Sequence, residues 1–216
     1  FDELGLPESV KHLAGRPAGL VLVTGPTGSG KTTTLYASLG QMNSGTKKLV
    51  TAEDPIEYFL PKVNQKQVSS HMSMAELLKG LLRQDPDVIL VGEMRDLETI
   101  ETALTIAETG HLVFASLHTN SAIQTINRIV NAFPPGQRHR MQLQLSYVLR
   151  AVLSQQLIPK VNGGRVVAAE LLFNTHAVQH LIRDDKLHQV YSQMQVGGDR
   201  YGMITMNQSL AMLLAM

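Results

Sequence analysis

Residues 22–39 read LVTGPTGSGKTTTLYASL. An apolar run stops at Gly25, two more glycines follow at Gly28 and Gly30, and Lys31 with three threonines opens a stretch of helical pattern. Few folds hold such a segment. The glycines let a chain turn its backbone N–H groups inward around one point, and a helix beginning there adds partial positive charge. Gly25, Gly30, Lys31 and Thr32 satisfy G-x-x-x-x-G-K-[ST], with a strand pattern before and a helix pattern after. Such a loop holds a triphosphate. Gly25, Pro26, Thr27, Gly28, Ser29 and Gly30 wrap the phosphates, Lys31 reaches the β and γ groups, the Thr32 hydroxyl takes Mg²⁺, and Thr33 is placed for the α-phosphate.

The rest of the chain repeats the alternation. Apolar runs at Gly19–Gly25, Lys47–Ala52, Asp87–Glu93 and His111–Thr119 read as strands. Helical patterns occupy Lys31–Met42, Ser73–Gln84 (opened by a Ser73/Glu76 capping box) and Asp96–Gly110. After the turn signal PPG, the stretch from Gln137 to Leu157 reads as one long helix. Leu157–Phe173 reads as a hairpin turning at Asn162–Gly164. This predicts an α/β fold, a mostly parallel sheet flanked by helices, with a C-terminal hairpin and a small helical segment. The expected units are a core over residues 1–174 and a helical segment of the same domain over 175–216.

Acidic residues sit where strands end, the edge at which open α/β sheets bind ligands. Glu93 closes the Asp87–Glu93 run, placed to orient water for attack on a γ-phosphate. The position before it, often an aspartate in such motifs, is Gly92, so a metal leans on Thr32 and water. Glu53 and Asp54 are expected on a loop just past a strand, with Glu57 following. His118, at the carboxyl end of its strand, is a γ-phosphate contact, whereas His111 begins that strand. Seven residues apart, the two cannot form one metal site. Arg83 and Arg95 flank the Glu93 strand and are candidates to complete a neighbouring subunit's site.

Composition narrows the partners. Net charge is +1, aromatic residues make up 5% and there is no Trp, which leaves no stacking surface in a basic groove for nucleic acid. No Cys is present, which removes disulfides and Cys-based zinc sites. The longest apolar runs are far short of the roughly 20 residues of a membrane span. The chain begins at Phe1 with no signal-peptide pattern, and is read as a fragment of something longer.

Together, GPTGSGKTTT, TAEDPIEY, RQDPDVILVGEMRD and TGHLVFASLHTNSA resemble the Walker A, Asp box, Walker B and His box of the secretion ATPase superfamily, which powers type IV pili and type II secretion. Within it the chain is most similar to the type IV pilus retraction ATPases. Assembly and type II secretion ATPases carry paired CxxC zinc motifs. Retraction ATPases carry a helix reading Ala-Ile-Arg-Asn-Leu-Ile-Arg-Glu, which AVQHLIRD at Ala177–Asp184 resembles, departing at Gln179 and His180. The resemblance implies a RecA-like P-loop ATPase using ATP and Mg²⁺, with Glu93 the catalytic glutamate, Glu53 and Glu57 in the Asp box, and His111 and His118 in the His box. It implies a hexameric ring acting on an inner-membrane pilus platform protein from the cytoplasmic face, and an N-terminal PAS-like domain ahead of this segment. The alternatives are an assembly or secretion ATPase of the same superfamily, a hexameric nucleic-acid translocase, and a module that binds ATP without hydrolysing it.

Overall fold

A computed structural model describes residues 4–161 and 163–215. Seven strands form one sheet. They are β1 (Gly19–Thr24), β2 (Leu49–Glu53), β3 (Asn64–Gln67), β4 (Val88–Val91), β5 (Leu112–Leu117), β6 (Leu149–Pro159) and β7 (Arg165–Phe173), in the order β3-β2-β4-β5-β1-β6-β7. All pairings are parallel except β6 with β7. The strands β1, β2, β4 and β5 are buried at every position, because helices cover both faces of a parallel sheet. This is why they read as unbroken apolar runs. Burying each Val, Leu or Ile there contributes about 1.5–3 kcal/mol.

The covering helices are α1 (Lys31–Met42), α2 (Met74–Leu82), α3 (Leu97–Glu108), α4 (Ala122–Asn131) and α5 (Pro135–Val148), with a 3₁₀ helix at Glu8–Gly15. Ser73 and Glu76 close the expected capping box on α2; Asp96 caps α3 and Ser121 caps α4. The C-terminal residues form α6 (His176–Arg183), α7 (Val190–Val196), α8 (Gly198–Tyr201) and α9 (Met206–Leu214). They lean on the antiparallel edge. Ile204 bridges to Leu171, and the Ser209 hydroxyl accepts the Ala169 N–H of β7.

Two expectations are corrected. The long helix over Gln137–Leu157 ends at Val148, and residues 149–159 are β6. Its apolar residues are used on both sides at once, by β1 in parallel and β7 in antiparallel, so pairing overrides the local helical pattern. Asn174 stabilises the switch, donating to the carbonyls of Ser146 and Leu149 at 2.7 and 2.9 Å. The turn signalled by PPG separates α4 from α5 as expected, with Pro134 the N-cap of α5 and Pro135 its first residue, where a missing N–H costs nothing. Glu53 is the last residue of β2 rather than part of the following loop. The hairpin turn closes with the Lys160 N–H on the Gly164 carbonyl, and Asn162 lies outside the described residues. The edge strand β3 reads Asn-Gln-Lys-Gln, and no apolar period announces it.

Candidate functional site

The site is built on the carboxyl ends of the parallel strands. After β1 the chain turns through Gly25, Gly28 and Gly30, all with positive φ. At Gly25 the need is steric as well, since a Cβ there would stand 2.2 Å from the Gln155 carbonyl oxygen and 2.6 Å from Ser29 Oγ. Gly30 is the N-cap of α1 in left-handed conformation, and no side chain caps the helix. The first-turn N–H groups of α1 are therefore left to an outside acceptor. Ser29 Oγ is buried without a hydrogen-bond partner. Lys31 Nζ folds back to donate to the carbonyls of Gly25 (2.9 Å) and Pro26 (3.0 Å). Burial pushes its pKa down, and the nearby Glu93 charge opposes that only in part. Uncapped donors, an orphaned hydroxyl and a desolvated cation form a cradle that fits phosphate oxygens.

Sequence reasoning missed the residue that braces this loop. Gln155, on β6 and 2% exposed, accepts from Thr34 Oγ1 at 2.9 Å and donates to the Ser29 carbonyl at 2.7 Å. Beside it Ser154 and Thr24 share a 2.6 Å hydroxyl–hydroxyl bond. Reading residues 149–157 as helix hid this contact. A strand beginning at Leu149 would have brought Gln155 to the loop.

Across the cavity stands a row of alternating charges. Glu93 follows β4 by two residues. Its Oε1 lies 3.2 Å from His118 Nε2 and its Oε2 2.9 Å from Arg95 Nε, while Arg95 Nη1 reaches Asp54 Oδ2 at 3.3 Å. His118 Nδ1 faces Lys31 Nζ at 3.5 Å. An ammonium only donates, so Nδ1 accepts and the imidazole proton sits on Nε2, aimed at Glu93. Gly92 has its own reason: a Cβ there would stand 3.2 Å from Glu53 Cα and 3.3 Å from the Ala52 carbonyl. Any side chain at this position would press on β2, which would have to give by a few tenths of an ångström.

Glu53, 3% exposed, accepts from the Tyr36 hydroxyl, from Thr51 Oγ1 at 2.5 Å and from Gln65 Nε2 at 3.1 Å. Burial, then the hydrogen bond to Glu53, pushes the Tyr36 phenol well above its ordinary value. Tyr36 packs edge-on against Tyr58, centroids 4.7 Å apart. Gln65 and Tyr58 were not singled out in the sequence, because each depends on chain folding back across β2.

Lys31, Thr32, Glu53, Glu93 and His118 share one cavity of about 240 Å³, with Thr27, Gly28, Asp54, Glu57 and Arg95 also on its walls. Thr33 lies on the other side of the loop, in a second cavity of about 490 Å³ with Tyr58, Leu157 and Arg165. Pro26 is exposed at the loop's crest. Two candidates fall elsewhere. His111 precedes β5 at its amino end, its Nδ1 3.3 Å from the Ile106 carbonyl and from Thr109 Oγ1. Arg83 is the exposed C-cap of α2, on the amino side of β4. Among the described residues no three His, Cys, Asp or Glu converge as metal ligands, so a divalent cation here would rest on Thr32, phosphate and water. No helix among them is long and apolar enough to cross a membrane.

Known proteins resemble this chain in sequence and fold. The type IV pilus retraction ATPase PilT of Pseudomonas aeruginosa is 51% identical over all of this chain and 64% of its own length. A twitching motility protein of Neisseria gonorrhoeae is 48% identical over 99% of the chain and 59% of its own length. A crystal structure of the pilus retraction motor PilT with bound ADP superposes with a TM-score of 0.91 at 51% identity, covering 98% of this chain and 62% of that one. The chain thus spans about three fifths of the length of these relatives. The model of the type II/IV secretion system protein family matches residues 4–199, and the chain belongs to that family.

Proposed function

We propose that the chain is an ATP-hydrolysing motor domain that powers type IV pilus retraction. The observation that carries the chemistry is one shared cavity: Glu93, held by His118 and Arg95, opens on the same space as Lys31 and the uncapped start of α1. Over the whole chain, the likeness to a retraction ATPase and a twitching motility protein supports the direction of work.

The residues divide the task. The N–H groups from Thr27 to Thr33 receive phosphate oxygens, and Lys31 exchanges its bonds to the Gly25 and Pro26 carbonyls for the β and γ groups. The Thr32 hydroxyl would hold Mg²⁺, with Glu53 and Glu93 facing it through water. When bound, that ion offsets charge on the β and γ phosphates. Glu93 orients a water and accepts its proton, while the Nε2–H of His118 steadies the carboxylate. Glu53, saturated by three donors, contributes negative charge without leaving its partners. Within the chain Arg95 bridges Glu93 and Asp54, which places a guanidinium beside the catalytic carboxylate. The working assembly is a homo-oligomeric ring, a hexamer, that pulls on an inner-membrane platform protein; groups outside this segment complete each site.

The test is Mg-ATP hydrolysis by the chain and by Glu93→Gln over a range of protein concentrations. Turnover that rises faster than linearly and vanishes in the variant is the expected result. Nucleotide binding without turnover, even when the complete protein is used, would leave a binding module. A second reading, a secretion ATPase, is favoured by a type II secretion protein E of Pseudomonas aeruginosa that is 57% identical over 61% of the chain. Deleting the gene separates the two: retained pili that no longer retract support retraction, and cells that lose pili or secretion overturn it.

A further inference from the structure

The opposite end of the sheet carries another cavity, of about 440 Å³, that the nucleotide chemistry does not use. Arg150, the second residue of β6, reaches into it half-buried. Its guanidinium is pinned from behind. Nε donates to the Ala18 carbonyl at 2.9 Å, and Nη1 donates to the carbonyls of Tyr147 (2.7 Å) and Leu149 (3.3 Å). Gly19 makes the room, since a Cβ there would stand 2.6 Å from Arg150 Nε. The fork is fixed by backbone on one side, and Nη2 remains for a ligand.

Other basic side chains line the same space. Arg16, His12 and His176 line it, with the rings of Tyr201 and Phe173 on its walls. Among the described residues neither Arg16 nor Arg150 has a carboxylate partner. Arg16 lies near enough that its charge, after burial, pushes the Arg150 pKa down. In a chain with net charge +1, this local excess of cations is not a spill-over from overall basicity. Two like charges facing one cavity repel, and that repulsion is relieved by an anion between them. Guanidinium forks match phosphate oxygens in geometry, and a cavity of this size with an aromatic wall admits a nucleotide-sized molecule.

We propose that this cavity is a second anion site, separate from the phosphate loop, that takes a phosphate-bearing small molecule of up to nucleotide size. Arg150 supplies the fixed fork, Arg16 a second guanidinium, His12 and His176 ring nitrogens that can donate, and Tyr201 a face for a ring.

The test is calorimetric titration of inorganic pyrophosphate, and separately ADP, into the chain at low salt, with Arg16→Gln and Arg150→Lys alongside. Arg16 is exposed, so its variant folds as the parent does. Two binding events per chain are expected. Arg16→Gln weakens one of them by about tenfold or more and leaves ATP turnover unchanged. Arg150→Lys weakens the same event while retaining charge, because the fork is lost. Blocking the phosphate loop with Lys31→Ala leaves that event intact, and the imidazole NMR signals of His12 and His176 shift on titration. Pyrophosphate binding alone identifies a free polyphosphate; tighter ADP binding, reduced by Tyr201→Ala, identifies a nucleotide. A single event, abolished by Lys31→Ala and indifferent to Arg16→Gln, overturns the proposal.

Discussion

The starts of α1 and α2 are opposite solutions to the same problem. Both helices begin with N–H groups that have no partner within the helix. At α2 the chain supplies its own acceptors: Ser73 Oγ takes the Glu76 N–H at 3.2 Å, and the Glu76 carboxylate takes the Ser73 N–H at 2.8 Å. At α1 it supplies none, and the N-cap is a glycine with no side chain to offer. One helix end is finished by local sequence and serves stability. The other is left uncapped, backed by a buried lysine and a serine hydroxyl without a partner, and lies beside the cavity that Glu93 lines. Unsatisfied donors locate the candidate site more sharply here than the cavities do, since larger clefts lie elsewhere on the molecule.

Four experiments can break or sharpen that contrast. The largest effect belongs to the chemical step. Glu93→Gln should lower turnover by about 10²–10⁴-fold while nucleotide still binds, read by steady-state kinetics beside equilibrium binding; comparable losses in both would place Glu93 in binding instead. Next, nucleotide at roughly 100 times its Kd should raise unfolding free energy by about 2.7 kcal/mol. Hydrogen exchange should slow at the first-turn amides of α1 beyond this global gain, and the α2 start should show no such excess.

A smaller loss is expected from Gln155→Leu. It leaves the Ser29 carbonyl and Thr34 hydroxyl without their partner, at a cost of about 1–3 kcal/mol in stability. Loosening the loop should raise KM more than it lowers kcat; a variant that melts earlier with unchanged KM would make Gln155 purely structural. The smallest effect is at the finished helix. Ser73→Ala should cost about 1 kcal/mol in denaturant unfolding and leave turnover alone. The Ser73 N–H and hydroxyl hold the Glu76 carboxyl below its ordinary value of 4.5. Its stabilising contribution is therefore present above that value and fades as pH falls through the lowered pKa. Glu76→Gln keeps the box geometry and should flatten this acid-side slope.

How far these features could be read in advance depended on the range of the forces behind them. The α2 box, the glycines of the phosphate loop and the four buried parallel strands follow from neighbours in sequence, and each was legible. Glu93 was legible too, because it trails an apolar run. Glu53 was recognised as a residue but misplaced: its burial comes from Tyr36, Thr51 and Gln65, and two of these come from elements other than its own. The edge strand β3 carries no apolar signal, and only its pairing with β2 makes it a strand. His111 shared its motif with His118, yet a six-residue strand separates their ends of the sheet.

What the sequence by itself determined is the chemistry of the phosphate loop, since steric freedom at three glycines and the reach of one lysine are local properties. Tertiary structure decided the rest of the site. Residues 149–159 became a strand because β1 and β7 claimed both of its edges, and hydrogen-bond pairing between distant segments outweighs a local helical pattern. That choice placed Gln155 behind the loop and Arg150 at the opposite end of the same strand. Neither position exists until the sheet is assembled.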